Sequence, residues 1–309
     1  MRLGVLDVGS NTVHLVAVDA RSGGRPTPMS DWKQSLRLVE MLDKKGAIDD
    51  KGVKKLVEAV QEAAALADNL KCEELLGFAT SAVRSATNSE EVLNHVEKKT
   101  GVKLQVLSGE DEARLTFLAA RRWYGWSAGK ITNLDIGGGS LEMSTGTDEV
   151  PDVAVSLDLG AGRLTHEWFD TDPPEKKTVN TLRDYIDAEL AAVADDFLDE
   201  GEAGLAVGTS KTLRTLARLT GSAPSSAGPY VKRTLTAPGL RQLIAFITRM
   251  TASDRAELEG VSSDRSHQIV AGALVAEAAM RALNLDKLEI CPWALREGVI
   301  LRQIDKGQN

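Results

Sequence analysis

The chain has 309 residues, 42% of them hydrophobic and 27% charged, a balance that suits a globular protein long enough for two cores. Its net charge of −8 argues against a nucleic-acid binder, which would carry a basic face, and no run of about 18 apolar residues suits a membrane span. The N-terminus enters a strand with no apolar signal core, and Cys72 and Cys291 offer neither a disulfide framework nor a metal spacing, so a cytoplasmic location is expected.

In chain order, Arg2 to Val8 and Val13 to Asp19 alternate apolar positions and predict two strands, with Ser35 to Leu42 as a third. Helical spacing then covers Lys51 to Leu70, followed by a strand from Leu75 to Ala79, a loop from Thr80 to Ser85 and a helix from Glu90 to Lys99. The strand Lys103 to Val106 precedes a helix from Gly109 to about Trp123. The opening is then restated: the strand Ile131 to Asp135, a glycine-rich turn, and a return strand from Leu141 to Ser144. Beyond the strand Val153 to Leu157, helices are predicted at Lys177 to Leu198, Lys211 to Leu219, Pro238 to Met250 and Ser266 to Ala282. Short buried strands are predicted at Gly204 to Val207 and Leu288 to Ile290, and Gly221 to Pro229 reads as a surface loop.

The restated segment carries the chemistry. Leu6-Asp7-Val8-Gly9-Ser10-Asn11-Thr12 and Leu134-Asp135-Ile136-Gly137-Gly138-Gly139-Ser140 are each an apolar strand with a carboxylate near its end, then a tight turn of small residues. Such a turn aims backbone N–H groups outward, which suits a phosphate, and a hard divalent cation takes Asp and phosphate oxygens together. Either copy alone is explained by an ordinary hairpin, but Asp, Gly and Ser/Thr recurring at matching positions exceed what a turn requires. Metal-assisted phosphoryl transfer is the first reading. Neither copy has the Gly-Lys-Ser/Thr ending of a P-loop or the spacing of a Rossmann fingerprint, which argues against both folds.

With two such loops, each opening a strand-rich half, the chain resembles the actin-like superfamily of sugar kinases and heat-shock ATPases. More narrowly, it resembles the exopolyphosphatase/guanosine pentaphosphate phosphohydrolase family in Leu6 to Thr12, Ala79 to Arg84, Leu107 to Arg114, Leu134 to Glu142, Ser156 to Thr165, Val207 to Thr212 and Leu295 to Gly298. It is similar to the short form of that family, for its four histidines are scattered and build no HD-type metal domain. The resemblance implies an α/β fold of two actin-like (ribonuclease H-like) domains with a cleft between them. These are 1–120 plus 295–309, with the last helix returning, and 121–294.

In Ser108-Gly109-Glu110-Asp111-Glu112-Ala113-Arg114, Ser108 suits a helix cap and an acidic first turn suits the helix dipole. The resemblance places the general base on Glu112, with Glu110 and Asp111 left to solvent. It favours Asp135 and Glu142 as metal or water-positioning groups, with Asp7 their counterpart in the first half. The plainer reading of Glu142 is an exposed strand carboxylate. All-oxygen donors imply Mg2+, with Mn2+ as the alternative.

Phosphate would be bound by Gly9, Ser10, Asn11 and Thr12, by Gly137, Gly138, Gly139 and Ser140, and by Gly208, Thr209, Ser210 and Lys211, where a strand ends and a helix begins. Arg84 matches the family's arginine and suits a two-pronged phosphate contact, with a surface salt bridge as the alternative. Leu295-Arg296-Glu297-Gly298 reads as a helix start with an internal ion pair. The family usually has Arg, a small residue and Asp where this chain has Arg265-Ser266-His267, so no aspartate role is carried over. The implied activity is Mg2+-dependent release of orthophosphate from the end of inorganic polyphosphate. The alternatives are guanosine pentaphosphate 5'-phosphohydrolysis and, from another class, a kinase or ATPase of the superfamily. The resemblance also implies a homodimer; no nucleic-acid or membrane partner is expected.

Overall fold

Two sheets organise the chain in the computed structural model, which describes residues 1–20, 26, 28–198 and 204–306. The first is ordered β3-β2-β1-β4-β5, from β1 (Arg2–Val8), β2 (Thr12–Asp19), β3 (Pro28–Ser35), β4 (Glu74–Ala79) and β5 (Leu104–Val106). The second is ordered β10-β11-β9-β6-β7-β8, from β6 (Ile131–Ile136), β7 (Leu141–Gly146), β8 (Val153–Leu157), β9 (Leu205–Gly208), β10 (Thr234–Thr236) and β11 (Lys287–Ile290). Without its β10 edge, the second sheet repeats the first: an antiparallel three-strand meander, then two parallel strands. The repeat extends to register, since Asp7 lies opposite His14 and Asp135 lies opposite Glu142.

Helices α1 (Asp50–Asn69), α2 (Ser81–Arg84), α3 (Ser89–Thr100) and α4 (Gly109–Tyr124) follow the first strands. Among the second are α5 (Ala161–Trp168), α6 (Lys176–Ala191), α7 (Lys211–Leu219), α8 (Ala237–Ile247), α9 (Ala252–Ala256) and α10 (Ile269–Ala282), and α11 (Leu295–Lys306) closes the chain. Contacts group Met1–Leu115 with Leu295–Asn309 as one unit and Thr116–Ala294 as another.

In the first unit, alternation along β1 and β2 sends Leu6, Val8, Val13 and Leu15 to a core shared with α1 and α3. The opposite face sends Leu3, Val5, Val16 and Val18 against Val299, Ile300 and Ile304 of α11. Asp49 caps α1 by accepting from the Gly52 N–H at 2.7 Å, and Gly101, at φ 73°, ends α3 in the left-handed conformation that glycine tolerates. In the second unit, Leu134, Ile136, Leu141 and Met143 face a core completed by α10, whose residues from Ile269 to Met280 are all buried.

Ser35 to Leu42 departs from the predicted strand. The strand is Pro28–Ser35, a polar segment paired with β2, and Arg37 at φ 56° turns the chain into a short 3-10 helix, Leu38–Met41. The apolar alternation arose because Leu36, Leu38 and Val39 anchor that turn in the core. Thr80 to Ser85 contains the single helical turn α2 instead of a plain loop. The helix predicted to Leu198 stops at Ala191, and Ala194 and Phe197 continue its apolar spacing from a 3-10 turn. The short elements β10 and α9 carry no periodic signal, and sequence reading missed them.

Candidate active site

Parallel strands place the loops after β1, β4 and β5 at one edge of the first sheet, and those after β6, β9 and β11 at the corresponding edge of the second. Each unit therefore gathers its candidate residues at the carboxyl ends of its central strands, where α/β sheets hold ligands.

In the first unit the loop Gly9 to Thr12 closes through Gly9 N–H donating to Thr12 O at 2.9 Å. The Leu36 and Arg37 N–H groups donate to Asn11 O, and Leu38 N–H to Ser10 O. In a trans peptide the C=O and the next N–H point in opposite directions. Pulling Ser10 O and Asn11 O toward this brace thus turns the Asn11 and Thr12 N–H groups the other way. Ser10 Oγ shares a 2.9 Å hydrogen bond with Ser81 Oγ, tying the loop to α2. Gly137 N–H likewise donates to Ser140 O at 2.9 Å in the second unit. There the brace is α5: Ala161 N–H donates to Gly137 O and Arg163 N–H to Gly138 O, which turns the Gly138 and Gly139 amides outward. A methyl group at Gly160 would occupy the backbone of Gly139 and Ser140, so only glycine admits this approach.

Ser108 caps α4, its Oγ accepting from Asp111 N–H at 3.0 Å and donating to the Asp111 carboxylate at 2.8 Å. Glu110 and Asp111 are exposed, whereas Glu112 is 6% exposed. The Arg84 guanidinium donates to Glu112 Oε1 and, at 2.9 Å, to Leu107 O. Arg84 is thus paired with the candidate base itself, which replaces the surface salt bridge.

Asp135 and Glu142 stand side by side on one face of β6 and β7. Glu142 is 4% exposed and accepts from Ser156 Oγ at 2.9 Å, so it is no exposed strand carboxylate. Thr209 Oγ1 donates to Asp135 Oδ2 at 2.6 Å and its N–H donates to Leu134 O. Burial pushes the Asp135 carboxyl up to about 6, against the Thr209 hydrogen bond and the charges of Arg214 and Arg265. Ser210 caps α7 by accepting from Leu213 N–H at 3.2 Å, and Lys211 is exposed on its first turn. Lys211, Arg214 and Arg218 share one face of α7 and line a cavity of about 280 Å³, where Arg218 pairs with Glu259.

The donor set fits Mg2+. Two adjacent carboxylate side chains are what this ion usually takes from a protein, with phosphate oxygens and water completing an octahedron, and a carboxyl costly to ionise alone gains from a cation beside it. Among the described residues no three His, Cys, Asp or Glu side chains converge on a metal position.

His14 and Arg214 were given no site role from sequence, Arg265 was noted only in a departure from the family pattern, and Arg296 was read as part of a helix start. His14 occupies the place relative to Asp7 that Glu142 occupies relative to Asp135, a correspondence that the loop repeat carries once extended along its return strand. Arg296, expected to pair within its own helix start, reaches the His14 ring, and Asp31 lies 2.9 Å from His14 Nε2. Burial, then the Arg296 charge, pushes the His14 imidazole down to about 4.

A profile of the Ppx/GppA phosphatase family matches residues 16–307. Exopolyphosphatase 1 of Mycobacterium tuberculosis is 67% identical over 305 residues, covering 99% of this chain and 89% of that protein. Among solved structures, the Aquifex aeolicus member of the Ppx/GppA family aligns with a TM-score of 0.81 at 25% identity, over 100% of this chain and 99% of that one. An exopolyphosphatase from Cytophaga hutchinsonii aligns with a TM-score of 0.89 over 99% and 98% of the two chains, a likeness of fold at 22% identity.

Proposed function

The chain belongs to the Ppx/GppA phosphatase family, and we propose that it is an exopolyphosphatase, releasing orthophosphate from the end of inorganic polyphosphate. The observation that carries this reading is the 67% identity, over nearly the whole chain, to the mycobacterial Exopolyphosphatase 1. The outward amides of both loops and the Ser210 hydroxyl, whose proton is not used in its helix cap, bind phosphate oxygens, Thr209 acts by holding Asp135, and the Lys211, Arg214 and Arg218 face of α7 takes further units of the polyanion. Asp135 and Glu142 would hold Mg2+ or Mn2+, which when bound would neutralise charge on the phosphate oxygens, and Asp7 is the residue that corresponds to Asp135 in the first unit. Glu112 holds the attacking water and takes its proton, while Arg84 orients the Glu112 carboxylate and offers its remaining N–H groups to phosphate.

A second reading, guanosine pentaphosphate 5'-phosphohydrolysis, is favoured by one feature. Tyr230 is 75% exposed and stacks on Trp123 with ring centroids 5.4 Å apart, a flat surface on which a base would rest.

Orthophosphate release from polyphosphate, guanosine pentaphosphate and ATP, measured in parallel with and without Mg2+, tests both. Glu112→Gln is expected to lower polyphosphate turnover by about 10²- to 10⁴-fold with substrate binding retained. Faster release from guanosine pentaphosphate, lost in Tyr230→Ala, would install the second reading instead.

A further inference from the structure

Two turns of the pleat behind the loops, the duplicated frame diverges. In the first unit the pair beside Asp7 and His14, on the same sheet face, is Val5 and Val16, 0% and 2% exposed. In the second, the pair beside Asp135 and Glu142 is Asn133 and Ser144, both fully buried. Among the described residues, Asn133 Oδ1, Asn133 Nδ2 and Ser144 Oγ have no hydrogen-bond partner. Leaving three polar atoms unmatched in a core is costly, and the first unit shows that the same backbone accepts two valines there.

We propose that Asn133 and Ser144 hold an internal water that hydrogen-bonds onward to the Asp135–Glu142 carboxylates and fixes their orientation. The proposal rests on the reading above, in which those carboxylates serve phosphate hydrolysis. The chemistry of the three atoms matches one water, since the amide oxygen accepts, the amide nitrogen donates and the hydroxyl does either. No direct hydrogen bond joins the Ser144 hydroxyl to the Asn133 amide. Residues two apart on a strand lie about 6.5 Å from each other, and a water spans polar atoms about 5.5 Å apart, so carboxylates one step along each strand fall within its reach. Asn133 and Ser144 then act through Asp135 and Glu142, as positioning residues.

The test pairs a high-resolution crystal structure of the full chain with steady-state polyphosphate kinetics and thermal unfolding of Ser144→Ala, Ser144→Thr and Asn133→Leu. A water bonded to both side chains is expected. Ser144→Ala and Asn133→Leu should lower kcat about 10- to 100-fold with KM within about threefold and Tm unchanged or raised, while Ser144→Thr, which keeps the hydroxyl, retains kcat. No water at this place, or wild-type kcat with a raised Tm in Ser144→Ala, overturns the proposal. Should Asn133→Leu not fold, Ser144→Ala, which removes a single atom, decides alone. Wild-type protein that releases no phosphate from polyphosphate refutes the exopolyphosphatase reading, and the water is then judged by crystallography.

Discussion

His14 shows how much one side chain contributes through its protonation state. It is half-buried among Arg296, Asp31 and Lys33, and its imidazole lies near 4 against an ordinary 6.5. The unfolded chain therefore takes up the proton first as pH falls, so stability present above about 6.5 drains away through about 4. Chemical unfolding at pH 7 and pH 4.5 should differ by about 2 to 3 kcal/mol more in the wild type than in His14→Gln. Asp135 has the opposite sign: its carboxyl is raised to about 6, so ionising it at neutral pH costs folding energy that a bound cation offsets. Asp135→Asn is expected to abolish any Mg2+-induced rise in Tm and to leave the metal-free protein at least as stable, by differential scanning calorimetry. Asp135 stood out in the sequence because it belongs to the repeated motif, whereas Glu142 was drawn in only by the family resemblance. His14 escaped because an isolated histidine carries no pattern until strand register sets it opposite Asp7.

At the scale of elements, α7 turns a helix face into a row of cations. Lys211 to Arg218 spans about 10 Å of helix, enough to follow several phosphate units away from Thr209. Arg214→Ala and Arg218→Ala should raise KM for long polyphosphate about tenfold and leave tripolyphosphate nearly unchanged, read from initial rates across a chain-length series. The approach of α5 to the second loop predicts a different failure. Gly160→Ala must push Gly139 and Ser140 aside, and is expected to cost about 2 kcal/mol in urea unfolding and to weaken phosphate binding. Periodicity located the strands that carry both loops, but not the braces behind them. The segment that braces the first loop was misread as a strand because Leu36 and Leu38, on either side of Arg37, alternate like one. A helix's use of its first amides on another loop's carbonyls leaves no mark in sequence spacing at all.

For the whole molecule, a net charge of −8 is compatible with the proposed polyanionic substrate because charge acts locally: Lys211, Arg214 and Arg218 are gathered around one cavity beside α7. Among the described residues no helix is long and apolar enough to cross a membrane. A homodimer, implied by family likeness, should give twice the chain mass of 33.1 kDa by light scattering after size exclusion. The duplication itself has an electrical consequence. In the second unit the partial positive charge at the start of α5 is spent on Gly137 O and Gly138 O, not on a ligand. Those carbonyls share peptide planes with the amides of Gly138 and Gly139, so drawing electron density toward the helix makes both N–H groups better donors. A phosphate held there feels the helix through two intervening peptides, as a charge at the end of a conducting bridge.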